Sequence, residues 1–381
     1  MDQEFDYSEI ISGLRKSFMN GKLKSYEARR HQLIQLNKLL DENNEAICDA
    51  LWKDLRKSNP ITKITEILSV KNELAEIMVQ LDKFMKPERI KSDWQNIQNT
   101  LEIHNEPYGI VLILSAWNYP LLLSLKPIAG AIAAGNCCVI KPSELAPNTA
   151  AVIEHLIPKY MDNDCIRVIN GGVPETTALL RERFDYIFYT GSTNVGKIIL
   201  KAASNYFTPV TLEMGGKCPA IVDKASNLDI AANRIVWGKF SNSGQTCLAV
   251  DYILCVGGIQ DDLINALKKS ILRFYGEDPQ KSIDYGRMIN NRNFQRVIKL
   301  IKKSNIVHGG DYDEKDLYIS PTILKNISVD DDIMKEEIFG PLLPIINVVD
   351  VEEAVQFINL SCSPARWKIL LDKLLDTRCS A

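Results

Sequence analysis

Apolar positions recur at helical spacing through the first ninety residues. Ile10, Leu14 and Phe18 fall four apart, Leu33, Leu36 and Leu40 continue the stripe, and Ile64, Ile67, Leu68, Leu74, Ile77, Met78 and Leu81 extend it. Pro87 ends the last of these helices. Residues 94–105 are polar, with a weak alternation at Leu101 and Ile103 that predicts a short hairpin or an exposed strand. From Tyr108 the rhythm changes to short continuous apolar runs at 110–114, 137–140, 166–169, 186–189 and 210–213, the mark of strands buried on both faces. Helical patterns fill the gaps at 122–134, 147–160, 175–183 and 195–203, the second of them opening on Pro147. Five strands alternating with four helices predict an α/β fold with a doubly wound parallel sheet, and such sheets bind ligands beyond the carboxyl ends of their strands. After Gly215 the alternation is less regular: helices over 228–240, 261–274 and 291–303, and extended pieces at 253–256, 318–324 and 342–348. That pattern predicts a second α/β domain.

Composition narrows the class. The chain of 381 residues is 46% hydrophobic and 24% charged, as expected of a globular protein with two domains. A net charge of -3 gives no general attraction to nucleic acid or to anionic membrane. The acidic start, MDQEFDYSEI, has no apolar core of a signal peptide, and the strongly apolar stretch at 108–117 is too short to span a bilayer. Nine cysteines at irregular spacing, without a C-x-x-C pair, point to a reducing compartment and a cytoplasmic location. Cys48, Cys137, Cys138, Cys165 and Cys255 lie in apolar periodic segments, where a thiol acts as a small hydrophobe. His31, His104, His155 and His308 form no ligand pattern with cysteine, so no metal is expected.

Unusual residues follow the strands. GSTNVGKI (191–198) has the G-x-x-x-x-G-K spacing of a phosphate-binding P-loop, but Ile198 replaces the hydroxyl such a loop needs for magnesium, which disfavours a phosphotransferase. A strand-to-helix turn with two glycines still offers backbone N–H groups to a phosphate, or simply joins the two elements. In LEMGGK (212–217), Glu213 ends a strand read as buried; it is either a general base raised by desolvation or a turn cap. In WNYP (117–120), Asn118 is a turn residue or a donor to an oxyanion. In KPSE (141–144), Lys141 and Glu144 are a surface ion pair or a grip on ribose hydroxyls. FSNSGQTCLAV (240–250) places Cys247 among small polar residues between a helix and a strand.

WNYP, KPSE, GSTNVG, LEMGGK, SGQTC and EEIFGP (336–341) occur in the order found in aldehyde dehydrogenases, and PYGIVLILSAWNYP, IKPSELAPNTA and DYGRMIN fit between them. The chain resembles the class 3 branch of that family over about residues 5–358. The resemblance implies NAD(P)-dependent oxidation of an aldehyde to a carboxylic acid. Cys247 would be the nucleophile, forming a thiohemiacetal and then a thioester; Asn118 and the Cys247 N–H would hold the oxyanion; Glu213 would activate the hydrolytic water. Lys141 and Glu144 would contact the adenosine ribose, Gly191, Ser192 and Gly196 the pyrophosphate, and Glu337 and Phe339 the nicotinamide ribose. NAD is the expected cofactor, with NADP possible in this branch. The domains implied are a helical part of the cofactor domain at 1–90, oligomerisation-type strands at 91–106, a Rossmann-type core at 107–214 and a catalytic domain, incomplete, at 215–358. The resemblance also implies a homodimer, one that the family's usual C-terminus helps to form.

After VVDVEEAVQFIN the resemblance stops. In LSCSPARWKILLDKLLDTRCSA, Trp367, Leu370, Leu371, Leu374 and Leu375 predict a short amphipathic helix, too short for a stable membrane anchor. The same departure frames the alternative reading, a catalytically inactive homologue that binds NAD or a full-length partner.

Overall fold

The computed structural model describes residues 5–96, 98–301 and 306–361. The helix expected around Trp367 lies outside the described residues. The chain divides after Met214 into two compact units.

The first unit opens on α1 (Ser8–Met19), α2 (Tyr26–Glu42) and α3 (Asn44–Leu55). A single turn, α4 (Asn59–Thr62), then runs through a π-helical turn, Lys63–Ile67, into α5 (Leu68–Met85). Most of the stripe read from the sequence is the buried face: Leu33, Leu36 and Leu40 of α2, with Leu74 and Leu81 of α5, are fully buried, whereas Ile64 and Leu68, expected on the same stripe, are exposed in and just after the π-helical turn. The polar stretch contributes a two-stranded antiparallel ribbon, β1 (Glu88–Ile90) with β2 (Leu101–Ile103).

A parallel sheet follows: β3 (Ile110–Leu114), α6 (Pro120–Ala133), β4 (Cys137–Lys141), α7 (Pro147–Tyr160), β5 (Ile166–Val168), α8 (Val173–Leu179), β6 (Tyr186–Gly191), α9 (Thr193–Ala203) and β7 (Val210–Met214). The strand order is β5-β4-β3-β6-β7, every pair parallel. The order therefore reverses between β3 and β6, the switch point of a doubly wound sheet. Right-handed crossovers put α6 and α7 on one face and α9 on the other.

Burial corrects one expectation. Only β3 and β4, at the centre, are buried along their whole length. β7 is an edge strand, half-buried at Val210 and exposed at Glu213. Its sequence, VTLEM, alternates apolar with polar, which is the pattern of a strand with one solvated face.

The second unit contains β8 (Pro219–Val222), α10 (Leu228–Phe240), β9 (Tyr252–Val256), α11 (Gln260–Tyr275), α12 (Asn291–Ile301), β10 (Ile306–His308), β11 (Tyr312–Asp313), β12 (Tyr318–Ile319), β13 (Thr322–Leu324), α13 (Asp332–Lys335), β14 (Leu342–Val348) and α14 (Val351–Ser361). Its main sheet has the order β10-β13-β14-β9-β8, parallel except for β10. β9 shows why its run is continuously apolar: Ile253 and Cys255 pack in one core, Tyr252, Leu254 and Val256 in another on the opposite face.

Candidate active site

In the first unit, Asn118 follows the carboxyl end of β3, Lys141 ends β4, and the glycine turn begins at the last residue of β6. Asn118 is buried, 3% exposed, and its carbonyl accepts a hydrogen bond from Lys57 Nζ at 2.9 Å. Lys141 is also buried. Its ammonium donates to the carbonyls of Pro142 at 2.9 Å and Gly171 at 2.7 Å, and to Glu144 Oε2 at 3.3 Å. Those acceptors match the three donors of an ammonium. The longest bond goes to the most exposed partner, Glu144, so that is the contact a hydroxyl displaces most readily.

Ser192 caps α9, its hydroxyl accepting from Val195 N at 3.4 Å, at the start of a helix whose first N–H groups have no partner within the helix. Gly191 is obligatory because a Cβ there would run into the Tyr189 phenol, whose hydroxyl donates to the Ser192 carbonyl at 3.1 Å. At Gly196 a Cβ would come within 3.2 Å of Met214 Sδ, so glycine lets α9 sit close on the sheet. A glycine turn, a helix N-terminus and a strand-order reversal together fit a dinucleotide pyrophosphate. Glu213, expected to be buried, is exposed at the end of the edge strand β7.

In the second unit, Cys247 stands on a loop of uncommon backbone. After α10 the chain passes through three consecutive left-handed residues, Asn242 (φ 53°), Ser243 (φ 53°) and Gly244 (φ 73°). Asn242 and Ser243 adopt this conformation at a cost of roughly 1–2 kcal/mol each. At Gly244 a side chain would collide with the carbonyl of Gly340, so the thiol loop and the EEIFGP segment meet backbone to backbone. Gln245, fully buried, locks the loop. Its amide N–H₂ donates to the carbonyls of Asn242 at 3.0 Å and Arg287 at 2.9 Å, and its oxygen accepts from Ile289 N at 3.0 Å. The last two partners belong to DYGRMIN. Cys218 steadies the loop's far side, its thiol donating to the Cys247 carbonyl at 3.6 Å. Cys247 itself is half-buried, whereas Cys48, Cys137, Cys138, Cys165 and Cys255 are buried.

Glu337 and Phe339 stand on the segment that loop touches. The Glu337 carboxyl lies against Gly215, where any side chain would overlap it. Burial, together with the charge of Asp251, raises Glu337 to about 7, and a hydrogen bond from the Gly216 N–H opposes the shift. Phe339 has a left-handed backbone (φ 45°), supported by Arg296, whose guanidinium donates to the carbonyls of Glu337, Ile338 and Phe339. Beneath them Asp251, 2% exposed, accepts from Lys217 Nζ at 2.5 Å and Ile338 N at 3.1 Å, with Lys239 Nζ at 3.7 Å. Burial lowers Lys239 to about 8.

Sequence reasoning missed Gln245, Asp251, Lys217, Lys239 and Arg296. One signal was available: Lys239 interrupts the apolar run of IVWGKF, and a lysine there needs a buried partner. Among the described residues no group of three or more His, Cys, Asp or Glu side chains is arranged to hold a metal ion. Nor is any helix among them long and apolar enough to cross a membrane.

A doubly wound unit with a glycine turn at its switch point, and a second α/β unit presenting a thiol on a strained loop, are the parts of a two-domain α/β enzyme. The chain belongs to the aldehyde dehydrogenase family, whose model matches residues 2–362. It is 48% identical over 352 residues to the dimeric NADP-preferring aldehyde dehydrogenase of Rattus norvegicus, a match covering 92% of this chain and 78% of that protein. It is 44% identical over 349 residues to aldehyde dehydrogenase family 3 member A2 of the same species, covering 92% and 72%. A solved structure, the substrate-bound state of Staphylococcus aureus AldH, matches with a TM-score of 0.91 at 42% identity, over 93% of this chain and 78% of that one.

Proposed function

We propose that this chain oxidises an aldehyde to a carboxylic acid with NAD or NADP, through a covalent adduct on Cys247. The observation that carries the reading is the Cys247 loop, held in three left-handed residues by a fully buried glutamine. Strain of this kind persists only where the surroundings over-determine it, and it concentrates at functional sites.

The thiolate of Cys247 adds to the aldehyde carbonyl. A free thiol with pKa about 8.5 is a few per cent ionised near neutrality, yet intrinsically very nucleophilic. The Asn118 side-chain amide and the Cys247 N–H hold the oxyanion; one such donor is typically worth ~10²–10³ in rate. Bound NAD(P) supplies the acceptor for the hydride that leaves the carbon. Glu213 then takes a proton from the water that hydrolyses the thioester, and its exposure gives it the access to water that this step needs. Gly191, Ser192 and Gly196 hold the pyrophosphate, Lys141 and Glu144 the adenosine ribose, Glu337 and Phe339 the nicotinamide ribose. A Glu337 carboxyl near 7 is partly protonated at neutrality and so both donates to and accepts from ribose hydroxyls. The half-exposed carboxylate of Glu144 favours a free 2′-hydroxyl, hence NAD, although one relative is named NADP-preferring. That relative is also named dimeric, which extends to a homodimer here.

Purified protein given a medium-chain aldehyde and NAD should produce the near-ultraviolet absorbance of reduced nucleotide, and Cys247→Ser should abolish it. Nucleotide binding without reduction would favour the inactive homologue instead.

A further inference from the structure

The turn that carries Asn118 is gripped from beneath by a buried ion pair. α3 ends at Leu55, and Arg56 takes a left-handed backbone (φ 56°) that turns Lys57 into the interior. The π-helical turn Lys63–Ile67 brings Glu66 to meet it; π turns of this kind are rare and often mark functional sites. Lys57 Nζ and Glu66 Oε1 are 2.5 Å apart, with the side chains 1% and 0% exposed. Neither charge is spent on its partner alone. Lys57 donates to the Asn118 carbonyl at 2.9 Å and lies 3.8 Å from the centroid of the Tyr119 ring. The second oxygen of Glu66 accepts from the N–H groups of Leu121 and Leu122, both at 3.0 Å, in the first turn of α6. One ion pair therefore fixes backbone on both sides of residues 118–122.

Stability alone does not account for it. Removing two charges from water is expensive, and a well-packed apolar pair of similar volume often stabilises a fold as well or better. What an apolar pair cannot do is hold three backbone groups by charge-assisted bonds, which are short and directional. We propose that Lys57 and Glu66 are positioning residues that set the place of Asn118, so that its amide meets the developing oxyanion. This rests on Asn118 being the oxyanion donor. Such a donor is sensitive to place, since a shift of about 1 Å can cost ~10²-fold in rate.

The test is a double change to an uncharged pair of similar size, Lys57→Met with Glu66→Gln. Glu66→Gln alone would leave the Lys57 charge uncompensated and endanger folding. The paired variant should still unfold in one cooperative thermal transition and retain its NAD dissociation constant while kcat falls ~10–100-fold. Hydrogen exchange read on a peptide spanning residues 115–124 should show faster exchange at Leu121 and Leu122, a readout independent of turnover. Combined with Asn118→Ala, the paired change should cost no further kcat, because its effect passes through Asn118. An equal loss of kcat in both backgrounds would overturn the proposal, as would unchanged exchange at the two leucines. A harmless Asn118→Ala would instead overturn the oxyanion reading, and the positioning role with it.

Discussion

Gln245→Ala tests whether the thiol loop is held by one side chain. The substitution removes the acceptor of Ile289 N and the donor to the Arg287 carbonyl, both beside a fully buried site. Each buried group left unpaired costs about 1–3 kcal/mol. The Asn242 carbonyl suffers less, since it also accepts from Gln245 N at 3.1 Å, a backbone bond that survives the change. Against these losses stands the strain of Asn242 and Ser243, roughly 1–2 kcal/mol each, which a freed loop can relax. Two orphaned groups less part of that strain leave a net loss of about 2–4 kcal/mol. Urea unfolding should show it as a lower midpoint at unchanged slope. Iodoacetamide labelling of Cys247, followed by mass spectrometry, should show a changed rate, because the thiol no longer has a fixed setting. Gln245→Glu separates hydrogen bonding from volume. It has the size of glutamine, yet turns a carboxylate oxygen toward the Asn242 and Arg287 carbonyls, so it should be worse than alanine. Should alanine cost less than about 0.5 kcal/mol with unchanged labelling, or glutamate prove the milder change, the glutamine is merely filling space.

Two further substitutions probe other groups. Glu337 titrates near 7 in the folded chain against an ordinary value of 4.5. Between those values the folded state keeps a proton that the unfolded state releases, so this carboxyl lowers stability as pH rises through the window. The advantage of Glu337→Gln over the parent should therefore grow from about pH 5 to about pH 7 and then level off, read by denaturation at each pH. Asp54→Ala should cost about 2 kcal/mol. The carboxylate of Asp54 accepts from Asn148 N and Nδ2 and from Thr149 N and Oγ1, capping α7 from a distance. Asp54→Asn should recover part of that loss.

The sequence made the sheet legible because its signals are local. Continuous apolar runs marked β3 and β4, and the helix over 147–160 began on its own proline. β8 escaped because PAIV is short and opens on a proline that ordinarily marks an edge, and it is an edge strand. Glu213 was placed inside by reading VTLEM as one run, when its alternation already implied a solvated face. The motif residues could be named from the sequence, but what holds them could not. Lys57 and Glu66 look like ordinary helix-surface charges, nine residues apart. The π turn and the left-handed Arg56 that bring them together leave no periodic trace.

The two units prepare their loops by different physics. In the second, order comes from strain: three left-handed residues are pinned by one amide, and relaxing the loop lies close at hand. In the first, order comes from buried charge. Within four residues at the end of α3, Asp54 secures the start of α7 and Lys57 secures the carbonyl of Asn118. Both charges are screened from solvent by burial, so salt should scarcely weaken them, whereas an exposed pair such as Lys53 with Asp49 is weakened by added salt. A helical region that carries no motif thus helps decide how rigid the motif loops are. Changes at Lys57 should therefore register in kcat and changes at Asp54 in the stability of α7, while changes on the solvated face of the same helix should do neither.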